Sequence, residues 1–155
     1  MNKAILCDVD GTIALMKGKR GPFEYIAAMQ DEPNLPVIKA VTDLVKANNY
    51  KIIYLSAREN VTFPATRCQY NNAYDLTYAW ISRNVYDRLN TQDTFKLVLR
   101  KKGDYRTDWV VKYELYRDII QYNYDVQLVF DDRDQVVKMW RDNGLPCFQV
   151  AFGNF

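Results

Sequence analysis

The chain contains no histidine. That absence removes phosphohistidine enzymes, Ser-His-Asp triads and His-ligated metals. Any reaction is left to carboxylates, lysine, arginine, hydroxyls or thiols. Cysteine is scarce as well: Cys7, Cys68 and Cys147 form an odd set, and no two sit at metal-ligand spacing. That pattern argues against a disulfide framework or zinc site and fits reduced, mostly buried thiols in a cytoplasmic protein. A cysteine phosphatase needs an arginine at the far end of the phosphate loop. The corresponding positions here are Ile13, Tyr74 and Gly153, so that class fails. An excess of one charge is also missing, with 21 Lys and Arg against 19 Asp and Glu and a net charge of +2. Any nucleic-acid contact must then be a local patch rather than a field from the whole protein. The N-terminal "MNKAILCDVDGT" has too short an apolar run for a signal peptide or a membrane helix, so a soluble protein away from membranes is expected.

What is present suits one domain with one core: 155 residues, 48% of them hydrophobic. Short apolar runs alternate with helical stretches. Strands are expected at 4–7, 50–56, 95–100, 125–132 and 147–152. Helices are expected at 35–49, 73–89, 108–122 and 134–144, the last stopped by Gly144. Tyr70, Tyr74 and Tyr78 fall at helical spacing and are read as one buried stripe. Residues 14–34, with their Gly, Pro and charge, read as a loop or hairpin flap leaving the first strand. This order predicts an α/β fold: a Rossmann-like parallel sheet with helices on both faces and too few remaining residues for a large cap.

In such sheets ligands bind beyond the carboxyl ends of the strands. "DVDGT", "SAR" and "DDR" each follow an expected strand, which gathers Asp8, Asp10, Ser56, Arg58, Asp131 and Asp132 at one rim. Asp8 and Asp10 would point to opposite faces of a continuous strand. The backbone must therefore bend, and Gly11 permits that. Four carboxylates in one site call for a cation, and an all-oxygen set favours Mg²⁺ with a substrate phosphate. Thr12, Ser56 and the backbone amides after Asp8, Gly11 among them, can donate to phosphate oxygens. Lys112 and Arg58 can offset the incoming charge. Asp108, one helical turn before Lys112, has the spacing to reach and orient it.

"DVDGT" at 8–12, "SAR" at 56–58, "TDWVVK" at 107–112 and "DDR" at 131–133 resemble, in order and spacing, the four motifs of the haloacid dehalogenase superfamily of phosphatases. More closely, the chain resembles the 3′-phosphatase domain of phage-type polynucleotide kinase-phosphatases. The likeness includes "GKRGP", "GDYRTDWVVK", "DDRDQVVKMWR" and "CFQVAFGNF", and it covers nearly the whole chain, 1–155, as one phosphatase domain. The resemblance implies that Asp8 attacks phosphorus and forms an aspartyl-phosphate, with Asp10 as general acid and then base. It also implies that Mg²⁺ is held by Asp8, the Asp10 carbonyl and Asp132, with Asp131 helping directly or through water. Lys112 would neutralise the nucleophile, and Arg20 and Arg58 would contact substrate phosphate, with Arg133 a further candidate. One departure is Ala57, where the family commonly has glycine.

The implied activity is Mg²⁺-dependent removal of 3′-phosphate, or of 2′,3′-cyclic phosphate, from RNA or DNA ends before ligation. No stretch matches G-x-x-x-x-G-K-[ST], so a kinase is expected to be another protein or a missing domain, with a ligase as a further partner. A small-molecule phosphatase such as a nucleotidase would use the same residues and is the alternative. A protein that only reads phosphorylated ends would have no need of both Asp8 and Asp10.

Overall fold

The computed structural model describes residues 1–91 and 93–155. Among the described residues seven strands are present: β1 (Asn2–Cys7), β2 (Ala14–Leu15), β3 (Glu32–Pro33), β4 (Lys51–Glu59), β5 (Lys96–Arg100), β6 (Tyr124–Asp131) and β7 (Cys147–Gln149). The α-helices among the same residues are α1 (Leu35–Asn48), α2 (Ala73–Ile81), α3 (Asp108–Leu115) and α4 (Asp134–Asp142). Five strands form one parallel sheet in the order β5-β4-β1-β6-β7. The short β2 and β3 pair antiparallel and close the base of the expected flap.

The central strand shows why the sheet is covered on both sides. Ala4, Ile5, Leu6 and Cys7 are all buried, and alternate residues face opposite cores. Ile5 and Cys7 join Ile52, Tyr54, Leu97 and Leu99 beneath α1 and α2. Ala4 and Leu6 join Ile53, Leu55, Val98 and Val129 beneath α3 and α4. Burying one such branched side chain contributes about 1.5–3 kcal/mol, so this double covering is the main source of stability.

Helices α2 and α3 each continue as a short π-helical segment, at Ser82–Asp87 and Tyr116–Ile120, which completes the two long helices expected from periodicity. The tyrosine stripe is corrected. The buried face of α2 is Ala73, Leu76, Thr77, Trp80 and Ile81. Tyr70 and Tyr74 are only partly buried against the core, and Tyr78, one residue past that face, turns outward. Tyr78 is 42% exposed and stacks on Phe95 at 4.4 Å. Among the described residues no helix is long and apolar enough to cross a membrane.

Candidate active site

The bend after β1 brings both first aspartates to the same rim. Asp8 extends the ladder, donating its amide to the Phe130 carbonyl at 2.9 Å. The next carbonyl, of Val9, accepts the amides of Thr12, Ile13 and Ala14 at 3.3, 3.0 and 2.9 Å, so the chain folds back on itself. Gly11 holds φ at +80°, and a Cβ there would stand 2.0 Å from Asp132 Oδ2. Glycine is thus required twice, for backbone handedness and for the approach of Asp132. Asp8 and Asp10 both line the resulting cavity of about 300 Å³, together with Gly11, Arg58, Lys112, Asp131 and Asp132.

The ligating oxygens of Asp8, Asp131 and Asp132 lie within 4.8 Å of one another. Lys112, on α3, donates to Asp8 Oδ1 and to Asp131 Oδ2, both at 2.7 Å. Thr12 Oγ1 donates to Asp8 Oδ2 at 2.9 Å, so this hydroxyl orients the Asp8 carboxylate. Asp131 Oδ1 accepts the amides of Asp132 and Arg133 at 3.0 and 3.3 Å. Burial pushes Asp8 well up from the usual carboxylate range, and Asp131 and Asp132 push the same way against Lys112. Lys112 is disfavoured by burial, yet Asp131 and Asp8 outweigh that and hold it above its ordinary value. Burial, then the Asp131 charge, pushes Asp132 up to about 6.

Three carboxylates against one ammonium leave two negative charges uncompensated. Asp132 is 7% exposed, and among the described residues no other residue's side chain or backbone donates to its carboxylate, which has only its own amide nearby. A largely buried carboxylate with no cationic partner of its own is costly. This hard, all-oxygen set with a divalent deficit fits Mg²⁺.

Asp10 belongs to a second, self-neutralising group. Arg58 grips it with Nε to Oδ2 and Nη2 to Oδ1, both at 2.8 Å, and Arg20 Nη2 adds a third bond at 2.8 Å. Asp31 anchors both guanidiniums: it accepts Arg20 Nε at 2.7 Å and Nη2 at 2.6 Å, and Arg58 Nη2 at 3.2 Å. Arg58 Nη1 donates to Thr77 Oγ1 at 2.9 Å, and the Trp80 indole donates to the Asp31 carbonyl at 3.1 Å. Burial would raise Asp10, but the Arg58 and Arg20 guanidiniums outweigh it and hold the carboxyl below its ordinary value. The resemblance assigned Arg20 and Arg58 to substrate phosphate. In this structure both are directed at Asp10 and Asp31, and Arg58 also lines the cavity. Asp31 was not among the expected residues. It lies in the irregular flap, where no spacing or motif marks it.

Asp108 differs from expectation. It does not bond Lys112, which faces Asp8 and Asp131 instead. Asp108 Oδ1 accepts Arg100 Nη2, and its Oδ2 accepts Arg133 Nη1 at 2.5 Å. Asp108 is the first residue of α3, so its side chain leaves the helix end toward the neighbouring β5 and β6 loops. Arg100, at the end of β5, was missed: a lone arginine closing a strand carries no signal. Its Nε is buried without a partner among the described residues. Ser56 is fully buried, and its Oγ accepts the Arg58 amide at 3.1 Å. Ala57 lines the cavity inside β4, and its φ is not positive, so alanine fits there without strain.

Comparisons with known proteins agree with this geometry. Residues 2–155 match the model of the polynucleotide kinase PNKP phosphatase domain. A protein of Autographa californica nuclear polyhedrosis virus, named "Putative bifunctional polynucleotide kinase/RNA ligase", is 31% identical over 144 residues, covering 93% of this chain and 18% of that protein. A solved chain from the Pnkp1/Rnl/Hen1 complex superposes with a TM-score of 0.81 at 38% identity, covering all of this chain and 48% of that one. A second, from the Pnkp1/Rnl/Hen1 RNA repair complex, gives 0.81 at 39% identity, covering 99% of this chain and 44% of that one. The chain therefore spans about half of the solved chains and a much smaller share of the viral relative.

Proposed function

The chain belongs to the family of polynucleotide kinase phosphatase domains, and we propose that residues 1–155 form one such domain acting as a Mg²⁺-dependent polynucleotide 3′-phosphatase. An Asp8 oxygen attacks phosphorus in line, and the P–O bond to the 3′ carbon's oxygen breaks. Asp10, which takes up a proton as the phosphate dianion binds beside it, gives that proton to the leaving oxygen. Water then attacks the aspartyl-phosphate, Asp10 takes the water's proton, and the P–O bond to Asp8 breaks. Inorganic phosphate leaves and Asp8 is restored. The Arg20–Arg58 clamp fixes where Asp10 stands in both steps.

Asp8 and Asp132, with the Asp10 carbonyl and with Asp131 directly or through water, would hold the Mg²⁺. Bound there, the cation supplies Lewis-acid stabilisation of phosphoryl charge. Lys112 carries the remaining compensation for Asp8 and Asp131.

The observation that carries this reading is Lys112 bridging Asp8 and Asp131 beside an Asp132 that no cationic side chain reaches. Family membership supports a polynucleotide end as substrate. The polynucleotide kinase and RNA ligase named in the viral relative support a kinase and a ligase as partners, the ligase using the resulting 3′-hydroxyl. Cys7, Cys68 and Cys147 are free thiols, which suits the reducing cytoplasm.

Incubation with a 3′-phosphorylated oligonucleotide, RNA and DNA in parallel, tests the reading. Phosphate release that requires Mg²⁺ is expected. No release from either strand would overturn it, and strong preference for a free mononucleotide would favour a nucleotidase. A 2′,3′-cyclic phosphate end in the same assay decides whether the site also opens that ring.

A further inference from the structure

Two aromatic side chains stand almost wholly in solvent at the mouth of the acidic cavity. Phe23, from the flap, is 81% exposed, and Tyr105, from the loop between β5 and α3, is 83% exposed. Both line the cavity that contains Asp8, Asp10 and Asp132. Among the described residues neither ring pairs with another aromatic ring. Single exposed apolar side chains are ordinary. Two on separate elements, converging on one charged cavity, have no packing role to account for them.

Building on the polynucleotide reading, we infer that Phe23 and Tyr105 form a stacking platform for the last nucleobases of the strand whose 3′-phosphate enters the cavity. With the phosphate at Asp8, the terminal nucleoside lies at the rim, where these rings stand. The near-zero net charge gives little long-range attraction for a polyanion, so local contacts must hold the strand. Every base has a π face, so aromatic stacking holds strand ends of any sequence, as an end-processing enzyme requires. Lys101 and Lys102, both exposed just before Tyr105, place positive charge where the strand's backbone would leave. On the same rim the Arg133 guanidinium already packs over the Phe155 ring at 5.3 Å. Phe23 and Tyr105 are thus specificity-determining residues, separate from the groups that act on phosphorus.

The test compares kcat and KM, with Mg²⁺, for 3′-phosphorylated oligonucleotides carrying a base or an abasic sugar at the terminal or penultimate position. The proteins are wild type, Phe23→Ala, Tyr105→Ala and Tyr105→Phe. Wild type is expected to favour base-bearing ends by about ten-fold, chiefly through KM. Each alanine variant should bring that preference toward one at either position, and Tyr105→Phe should keep it. Both side chains are exposed, so unchanged thermal unfolding confirms an intact fold. If wild type acts on the oligonucleotide but ignores the base, or if the alanine variants keep its preference, the platform is overturned and the phosphatase reading stands. If wild type releases phosphate from no oligonucleotide, the underlying reading falls and the platform with it.

Discussion

Lys112 Nζ stands 2.7 Å from Asp8 Oδ1, although 104 residues separate them in the chain. The helix α3 that carries Lys112 packs over β4 and β5, and the lysine reaches past their carboxyl ends to the end of β1. Its second bond, to Asp131 at the end of β6, ties the two central strands of the rim together.

Replacing that lysine should separate stability from turnover. Lys112→Gln leaves buried carboxylates without their cation, a loss of about 3–5 kcal/mol in the metal-free protein. Added Mg²⁺ should recover part of that stability by offsetting the same charge. It should not recover turnover, which is expected to fall roughly 10²–10³-fold for want of one charge-stabilising donor. Thermal unfolding and single-turnover kinetics, each with and without Mg²⁺, make the check. Recovery of both together would show that Lys112 acts only through charge balance.

The acidic cluster predicts a linked pH effect. Asp132 titrates at about 6 in the folded protein, above its unfolded value of roughly 4. Its protonated form is therefore favoured by folding. That contribution is present below the unfolded value and is lost as pH rises through the folded one. A divalent cation binds the ionised form and must displace the proton at lower pH. Mg²⁺ should accordingly raise the unfolding temperature more at about pH 7.5 than at about pH 5. Equal shifts at both would remove Asp132 from the binding group.

The clamp on Asp10 predicts a kinetic pH shift. Arg58 makes two parallel bonds to this carboxylate, a geometry that lysine cannot reproduce. In Arg58→Lys the carboxyl loses part of what holds it low, so its titration moves upward. The acidic limb of the hydrolysis step, in which Asp10 must be ionised to take the water's proton, should therefore move to higher pH in single-turnover decay of the aspartyl-phosphate. An unmoved limb would mean that Asp10 does not set it.

Gly11→Ala tests the close approach under the site. The new Cβ would collide with Asp132 Oδ2, and φ of +80° adds strain of roughly 1–2 kcal/mol. Weaker Mg²⁺ affinity, read from the titration of unfolding temperature, should accompany reduced turnover. Unchanged affinity would contradict the placement of Asp132 among the cation's ligands.

Much of the sheet could be read from the chain because its strands are buried on both faces. "AILC" and "LVF" are continuous apolar runs with no solvent side, and turn residues end each of them. The carboxyl-end rule then gathered the acids without any knowledge of their contacts. What the sequence concealed is partner choice. Asp108 has the spacing to meet Lys112, but its place at the first turn of α3 directs it to Arg100 and Arg133. Asp31 lies outside any periodic pattern and Arg100 closes a strand with no motif to mark it, and only the folded flap and sheet edge bring them to the site. Tyr74 and Tyr78 share helical spacing with a buried face displaced by a single residue, which spacing alone cannot distinguish.

The covalent step is open to direct observation. Mixing the protein with Mg²⁺ and a 3′-phosphate-labelled oligonucleotide, quenching in acid within one turnover and digesting should yield one labelled peptide, containing Asp8 and cleaved of its label by hydroxylamine. Asp8→Asn should give neither label nor turnover. Phosphate release at the wild-type rate from Asp8→Asn, or label on any other residue, would contradict the assignment of Asp8 as the phosphoryl acceptor.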